Sequence, residues 1–157
     1  MIPTRHRTTH QRTARTLAAA AVALTLAVGV SACSSSSAAG PVATVSGTTV
    51  EAGAEIDPAT FAATLSQPGV VVLDVRTPAE FAAGHLPGAV NIDVESAGFD
   101  AQVAALDKNA TYAVYCRSGN RSAVALGKMS DAGIAKAVHL GGGINAWAAA
   151  GGQVVTG

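Results

Sequence analysis

Residues 112–122 are Tyr112-Ala113-Val114-Tyr115-Cys116-Arg117-Ser118-Gly119-Asn120-Arg121-Ser122, an apolar run that leads through a cysteine into a polar turn. The run up to Tyr115 predicts a buried strand, and the apolar spacing from Arg121 onward predicts a helix. The glycine in the turn permits a positive φ, which lets successive backbone N–H groups point inward. With two arginines and a helix N-terminus close by, this layout favours a thiolate or a small anion at Cys116.

Short apolar strands alternate with helices along the rest of the chain. The predicted strands span residues 70–74, 89–92, 111–115 and 137–140, with 48–50 as a candidate further strand. The predicted helices begin at Pro58 and Pro78, span 96–106 and 121–132, and follow the glycines at 141–143. This alternation predicts a single α/β domain with a central five-stranded parallel sheet and helices on both faces. Cys116 and Asp74 then fall at strand ends, where open sheets of this kind bind ligands.

The first 32 residues have the layout of a bacterial signal peptide. A basic segment, Arg5 to Arg15, precedes an Ala/Val/Leu run over residues 17–30, which is too short for a comfortable membrane-spanning helix. The run ends in Val30-Ser31-Ala32-Cys33, which resembles the lipobox, where the signal is cleaved before a cysteine that becomes a diacylglyceryl thioether. Two acyl chains on one residue supply the two signals that stable anchoring needs. The alternative is an ordinary secretory signal in which Cys33 is incidental.

These features predict three parts of the chain. Residues 1–32 are the signal peptide, residues 33–53 are the lipidated Cys33 with a flexible Ser/Ala/Gly tether, and residues 54–157 are the folded domain. We therefore expect the protein outside the cytoplasm, anchored to the bacterial cell membrane by its N-terminal lipid. A disulfide between Cys33 and Cys116 is an alternative that lipidation of Cys33 would preclude.

The charge distribution argues against a nucleic-acid partner. The whole chain has ten basic and ten acidic side chains, but four arginines lie in the first 32 residues. The remaining 125 residues therefore have a net charge of −4. A mildly acidic mature protein lacks the basic surface that binding to nucleic acids requires.

Two plainer interpretations of Cys116 compete with a reactive thiolate. A buried cysteine often serves as a small apolar side chain, but that role predicts apolar neighbours rather than the charged and polar residues 117–122. A structural metal site needs further ligands at metal spacing, and only His85 and His139 remain after residue 32. The residues around Cys116 therefore do not indicate a structural metal site.

The chain resembles rhodanese-type sulfurtransferase domains over residues 55–155. The matching segments, in the order that the family has them, are Val72-Leu73-Asp74-Val75-Arg76, Glu80-Phe81, Gly84-His85-Leu86-Pro87-Gly88-Ala89 with Asn91, the Cys116 loop, and Leu140-Gly141-Gly142-Gly143 with Trp147. The resemblance implies that Cys116 takes sulfane sulfur from a donor such as thiosulfate and passes it to cyanide or a thiol. It also implies that Arg117 and Arg121 hold the donor, and that the backbone of residues 117–122 (Arg117, Ser118, Gly119, Asn120, Arg121 and Ser122) stabilises a persulfide. No cofactor is implied, and a protein acceptor of the sulfur is possible.

Two other functions remain open from the sequence. Cysteine phosphatases, whose fold is similar, use Cys-x5-Arg, whereas Arg121 gives this chain Cys-x4-Arg, a smaller loop suited to a single sulfur. An envelope sulfur carrier, redox sensor or protein-interaction module would use the same cysteine without free-standing turnover. Repeated turnover with a small acceptor separates an enzyme from a carrier.

Several further polar residues have a structural and a functional interpretation. Asp74 either steers the acceptor as an accessory residue or has a structural role, in which it pairs with Arg76 or caps the next segment. Arg76 is also expected to pair with Glu80. His85, at a helix end, is expected to bond free carbonyl groups. His139 lies in an apolar strand and is expected to be structural. The glycines at 141–143 are expected to let the backbone pass close to the Cys116 loop.

Overall fold

A computed structural model of the chain describes residues 42–45 and 48–157, with side chains described from residue 51 onward. The strands are β1 Val42–Val45, β2 Thr48–Glu51, β3 Glu55–Ile56, β4 Val70–Asp74, β5 Val90–Asn91, β6 Thr111–Tyr115 and β7 Ala137–Leu140. The helices are α1 Pro58–Leu65, α2 Pro78–Ala83, α3 Phe99–Ala104, α4 Asn120–Asp131 and α5 Gly143–Ala149. Over the described residues, none of these helices has the length and apolar character needed to span a membrane.

Five parallel strands form the central sheet in the order β3-β7-β6-β4-β5. The predicted α/β fold with a five-stranded parallel sheet is therefore confirmed. The fifth strand is β3, whereas the candidate strand at residues 48–50 lies in β2, which pairs antiparallel with β1 in a separate two-stranded sheet. Strand β3 has only two residues, too few for a periodic pattern, and is defined by its pairing with His139 and Leu140 of β7.

The β1–β2 pair lies within residues 33–53, where the sequence predicts a flexible tether. Its strands read VATV and TTVE, and β-branched side chains favour extended backbone. Part of the predicted tether therefore has strand structure. The predicted signal peptide, the lipobox and Cys33 lie outside the described residues.

The central strand β6 supplies the core on both faces of the sheet. Tyr112 and Val114 pack into one apolar cluster together with residues of α3 and α4, including Phe99 and Met129. The alternate residues Ala113 and Tyr115 pack into a second cluster with residues of α1 and α5. Since side chains alternate along a strand, Cys116 continues the first set and lies on the α4 side of the sheet.

Local sequence signals place the helix starts. Asp57 caps α1 by accepting from the N–H groups of Ala59 and Thr60, and Thr77 caps α2 in a reciprocal capping box with Glu80. Helix α3 is shorter than the predicted span 96–106 at both ends, with Gly98 at its N-cap and Ala105 at its C-cap. Helix α4 agrees with its predicted span to within one residue.

Candidate active site

The Cys116 loop connects the end of β6 to the start of α4. Cys116 follows directly after Tyr115, and Gly119 occupies the N-cap of α4 with a φ of 100°. That positive φ is readily adopted by glycine and turns the N–H of Gly119 toward the sulfur, at 3.1 Å from Sγ. The hydroxyl of Ser122, in the first turn of α4, lies 3.6 Å from the same sulfur. The loop therefore surrounds Sγ with donors from both backbone and side chain.

The pKa of the Cys116 thiol is lowered overall. Burial alone raises it, because a thiolate loses solvation in the interior. The Ser122 hydroxyl and the N–H groups of Ser122, Ser118 and Gly119 act in the opposite direction and outweigh burial. The thiolate is therefore stabilised mainly by neutral hydrogen-bond donors. The sequence predicts a larger contribution from the charges of the two arginines.

Arg121 is engaged by two carboxylates. Its guanidinium donates to both oxygens of Glu80, at 2.7 and 2.8 Å, and to Glu95 at 3.2 Å. This pairing, chiefly the hydrogen bond from Arg121, lowers the pKa of Glu80 from 4.5 to about 2. The expected Arg76–Glu80 pair is therefore wrong: Glu80 bonds Arg121 across 41 residues of sequence. A role for Arg121 in binding the sulfur donor stays a prediction. It requires the guanidinium to contact the substrate while it remains bound to the two carboxylates.

Arg117 differs from Arg121 because its charge is not paired with a carboxylate of residues 51–157. It is exposed, as are Ser118 and Asn120, and its guanidinium forms no hydrogen bond or ion pair with the side chains or backbone of residues 51–157. Gly119 and Ser122 are buried on the inner side of the loop. Residues 117–122 thus divide into an exposed rim and an inner set that contacts the sulfur.

Asp74, at the end of β4, is paired with Arg76. Its carboxylate is fully buried and accepts from the backbone N–H and the guanidinium of Arg76, which also donates to the carbonyl of Gly84 at 2.6 Å. Of these contacts, the one between Arg76 and Gly84 ties the end of β4 to the C-terminal end of α2. The structure therefore favours the ion-pair interpretation of Asp74 over a role as an accessory residue that steers the acceptor.

The glycine turn before α5 holds the Cys116 loop from behind. The N–H of Ile144 donates to the carbonyl of Cys116 at 2.8 Å, and the N–H of Asn145 donates to the carbonyl of Arg117 at 3.3 Å. Gly143 has a φ of 59°, and a Cβ there would overlap the carbonyl oxygen of Cys116. The expected close approach of backbone is therefore present, and it depends on the missing side chain.

Two histidines have different surroundings. His85 donates from Nδ1–H to the carbonyl oxygen of Phe81 at 2.9 Å and stacks on the Phe81 ring, which agrees with the expected structural role. His139 lies on β7 beside Val114 of β6, and its Nδ1 is 3.2 Å from the Ser122 hydroxyl. The apolar pattern of β7 does not reveal this contact, because it depends on the register of β6 against β7 that places His139 beside Val114.

A shallow depression of about 270 Å³ borders the loop on the Arg121 side. Its lining residues are Val94, Glu95, Asn120, Arg121 and Val124. Val124 of α4 is 58% exposed. The depression therefore offers a partly apolar surface next to Arg121 and the start of α4.

Comparison with known proteins gives consistent results. The family model of the Rhodanese-like domain matches residues 57–150. A probable adenylyltransferase/sulfurtransferase of Mycobacterium tuberculosis, MoeZ, is 40% identical over 79 residues, covering 50% of this chain and 20% of its own length. The thiosulfate sulfurtransferase GlpE of Pseudomonas fluorescens is 35% identical over 91 residues, covering 57% of this chain and 81% of its own.

A solved structure supports the same assignment. The crystal structure of a rhodanese-related protein from Thermoplasma volcanium superposes with a TM-score of 0.58 at 32% identity, covering 66% of this chain and 99% of that one. The chain spans only about a fifth of the mycobacterial relative, so the likeness there concerns one domain. With the family model matching more than half of its residues, the chain belongs to the family of rhodanese-like domains.

Proposed function

We propose that this protein is a sulfurtransferase in which Cys116 carries sulfane sulfur as a persulfide. The observation that carries the proposal is the ring of donors around Sγ, with the Gly119 N–H at 3.1 Å, which lowers the pKa of the thiol despite burial. A thiolate is the nucleophilic form of cysteine, so this environment prepares the residue for attack on sulfur. The named activities of the relatives, sulfurtransferase and thiosulfate sulfurtransferase, support the same reaction class.

The first half of the reaction loads the cysteine. The Cys116 thiolate attacks the outer sulfur of thiosulfate, a new S–S bond forms, and the S–S bond of the donor breaks. Sulfite leaves with the electron pair, and the product is a Cys116 persulfide anion. Arg117, the exposed cation without a partner in residues 51–157, is the group that attracts the anionic donor.

The second half discharges the persulfide. Cyanide or a thiolate attacks the outer sulfur, which leaves with the acceptor as thiocyanate or a new persulfide, and the Cys116 thiolate is regenerated. The inner N–H groups that stabilise the thiolate also stabilise the persulfide anion. Because Cys116 is only 1% exposed, the added sulfur, about 2 Å further along the side chain, extends the reactive atom toward the acceptor.

The decisive test is the intact mass of the purified protein before and after thiosulfate, and again after cyanide. We expect a gain of one sulfur atom that cyanide removes, together with steady release of thiocyanate. Cys116→Ser should abolish both, while its free energy of unfolding changes little, because the two side chains are nearly isosteric. A mass gain that survives in Cys116→Ser would mean that another group carries the sulfur.

A sulfur carrier for a protein or organic thiol is the second candidate. The exposed Val124 and the partly apolar depression beside Arg121 favour an acceptor larger than cyanide. A carrier would load from thiosulfate but keep its sulfur in the presence of cyanide. Rapid multiple turnover with cyanide would exclude that role.

We also propose that residues 1–32 are a signal peptide and that Cys33 carries a lipid anchor, which would place the domain outside the cytoplasm at the bacterial cell membrane. The support is the basic and apolar layout followed by the lipobox-like Val30-Ser31-Ala32-Cys33. Cys33→Ala should leave sulfur transfer unchanged and release the protein from the membrane fraction. If Cys33→Ala still sediments with membranes, the anchor lies elsewhere.

A further inference from the structure

A buried histidine stands behind the candidate nucleophile. His139 is 5% exposed on β7, and its Nδ1 lies 3.2 Å from the Ser122 hydroxyl oxygen. That oxygen is in turn 3.6 Å from Cys116 Sγ. Ser122 therefore touches both the histidine ring and the sulfur, although the sulfur-transfer scheme uses only one of these contacts.

The protons in this cluster can be counted. A serine hydroxyl has one proton, and that of Ser122 has a close acceptor in the carbonyl of Gly119, at 2.8 Å. With the proton committed there, the contact between Ser122 and His139 is a hydrogen bond only if Nδ1 carries a hydrogen and donates to Oγ. In the opposite tautomer, Nδ1 has no hydrogen and is an acceptor. It would then compete with the Gly119 carbonyl and Cys116 Sγ for the single hydroxyl proton of Ser122.

The charges around the ring are few. Burial lowers the pKa of His139 and so favours the neutral ring, although the nearby Glu55 carboxylate acts in the opposite direction. Nε2 lies 3.9 Å from Glu55 Oε2, beyond hydrogen-bond distance, and the Glu55 side chain is 65% exposed. The other titratable groups nearby are Cys116, reached through Ser122, and Arg121, whose charge interacts with Cys116.

We propose that His139 is a positioning residue for Cys116: its Nδ1–H donates to Ser122 Oγ and so leaves the hydroxyl proton for the Gly119 carbonyl and, once the sulfur is charged, for Sγ. A hydroxyl that accepts a hydrogen bond is also a better donor, because linked hydrogen bonds polarise one another. This inference rests on the proposed function, since it concerns the same nucleophile. It assigns to His139 a role beyond the structural one expected from its strand.

The test measures thiol reactivity rather than sulfur transfer. The rate of alkylation of Cys116 by iodoacetamide is followed from pH 5 to 9 in the full chain, by peptide mass spectrometry that resolves Cys116 from Cys33. Ser122→Ala should slow alkylation at the acidic end about tenfold, because it removes a hydrogen bond to a charged sulfur. His139→Leu should slow it about threefold, since it weakens that hydrogen bond without removing it.

A matched pair of variants separates positioning from packing. His139→Asn offers an amide N–H near the position of Nδ1 and should keep the rate within about twofold of the wild type. In the Ser122→Ala background, His139→Leu should have no further effect, because the hydroxyl through which it acts is gone. Equal slowing by His139→Leu in both backgrounds, or equal slowing by Asn and Leu, would overturn the proposal.

A second measurement needs no variant. The ¹⁵N chemical shifts of the His139 ring in the wild-type chain report which nitrogen carries the hydrogen. A protonated Nδ1 supports the proposal even if His139→Leu fails to fold, and a hydrogen on Nε2 alone overturns it. Failure of thiosulfate to load Cys116 would refute the proposed function, whereas the alkylation rates and ring shifts test His139 independently of that loading.

Discussion

Replacement of Glu80 by glutamine separates the ion pair that holds the Cys116 loop from the cap of helix α2. Glutamine at this position still completes a capping box with Thr77, so the start of α2 is preserved. What is lost is the negative charge that binds both terminal nitrogens of Arg121. Glu80→Gln therefore measures the contribution of one ion pair to the stability of the loop.

The size of that contribution follows from the titration of Glu80. The fall of its pKa from 4.5 to about 2 corresponds to an upper limit of about 3 kcal/mol, at about 1.4 kcal/mol per pKa unit. The side chains of Arg121 and Glu80 are 24% and 30% exposed, so solvent screens the pair. After that discount we expect Glu80→Gln to lower the free energy of unfolding at pH 7 by about 1 to 2 kcal/mol.

The pH dependence has a definite sign. Because folding lowers the pKa of Glu80, the ion pair stabilises the protein fully above about pH 4.5, and this stabilisation is lost as pH falls toward 2. Urea unfolding of wild type and Glu80→Gln should therefore differ most at pH 7 and converge in acid. The control is Glu95→Gln, whose side chain is 62% exposed and makes one contact, and which should change stability by less than about 0.5 kcal/mol. A Glu80→Gln difference as small as the control, or one that is constant from pH 7 to 3, would refute the reasoning.

Two further predictions concern the rim and the rear of the loop. Arg117→Gln should raise the KM for thiosulfate about tenfold with little change in kcat, since it removes a charge-assisted hydrogen bond to the donor. Steady-state kinetics of thiocyanate release measure both constants. An unchanged KM would assign donor binding to another group. Gly143→Ala should lower the free energy of unfolding by at least about 2 kcal/mol, from the positive φ and the overlap with the Cys116 carbonyl. The control is Gly127→Ala, at an exposed position of α4 with open space around it, which should instead raise the free energy of unfolding by about 0.5 to 1 kcal/mol. Equal effects of the two substitutions in urea unfolding would contradict the close approach of Gly143 to the Cys116 carbonyl.

The sequence predicts those parts of the fold that depend on local signals. Strands β4, β6 and β7 lie where continuous apolar runs predict them, because strands buried on both faces have no polar alternation. The start of α2 follows from Thr77 and Glu80, whose side chains each accept from the backbone N–H of the other, and from Pro78, which has no N–H to satisfy. The position of Cys116 follows from the same rules, since it comes directly after a central strand and before a glycine turn.

The partners of charged side chains could not be predicted in the same way. Arg76 has acids at 74 and 80 within reach along the sequence, and local spacing alone does not choose between them. The structure pairs it with Asp74, because Glu80 is turned toward Arg121 by helix α2 and bonds a residue 41 positions away. The contact of His139 with Ser122 likewise depends on the register of β6 against β7, which the apolar pattern of the two strands does not encode.

The structure separates the groups that stabilise the sulfur from the charged groups on the rim of the loop. The sulfur is stabilised chiefly by the neutral donors of Gly119, Ser118 and Ser122, which lie on the inner side of the loop or belong to its backbone. Of the two arginines, one is bound to carboxylates and the other is exposed on the rim. Since buried hydrogen bonds are screened by salt far less than exposed charges, thiol reactivity and donor binding should respond differently to ionic strength. A loop built in this way can keep the same nucleophile while its rim is altered to suit a different donor or acceptor.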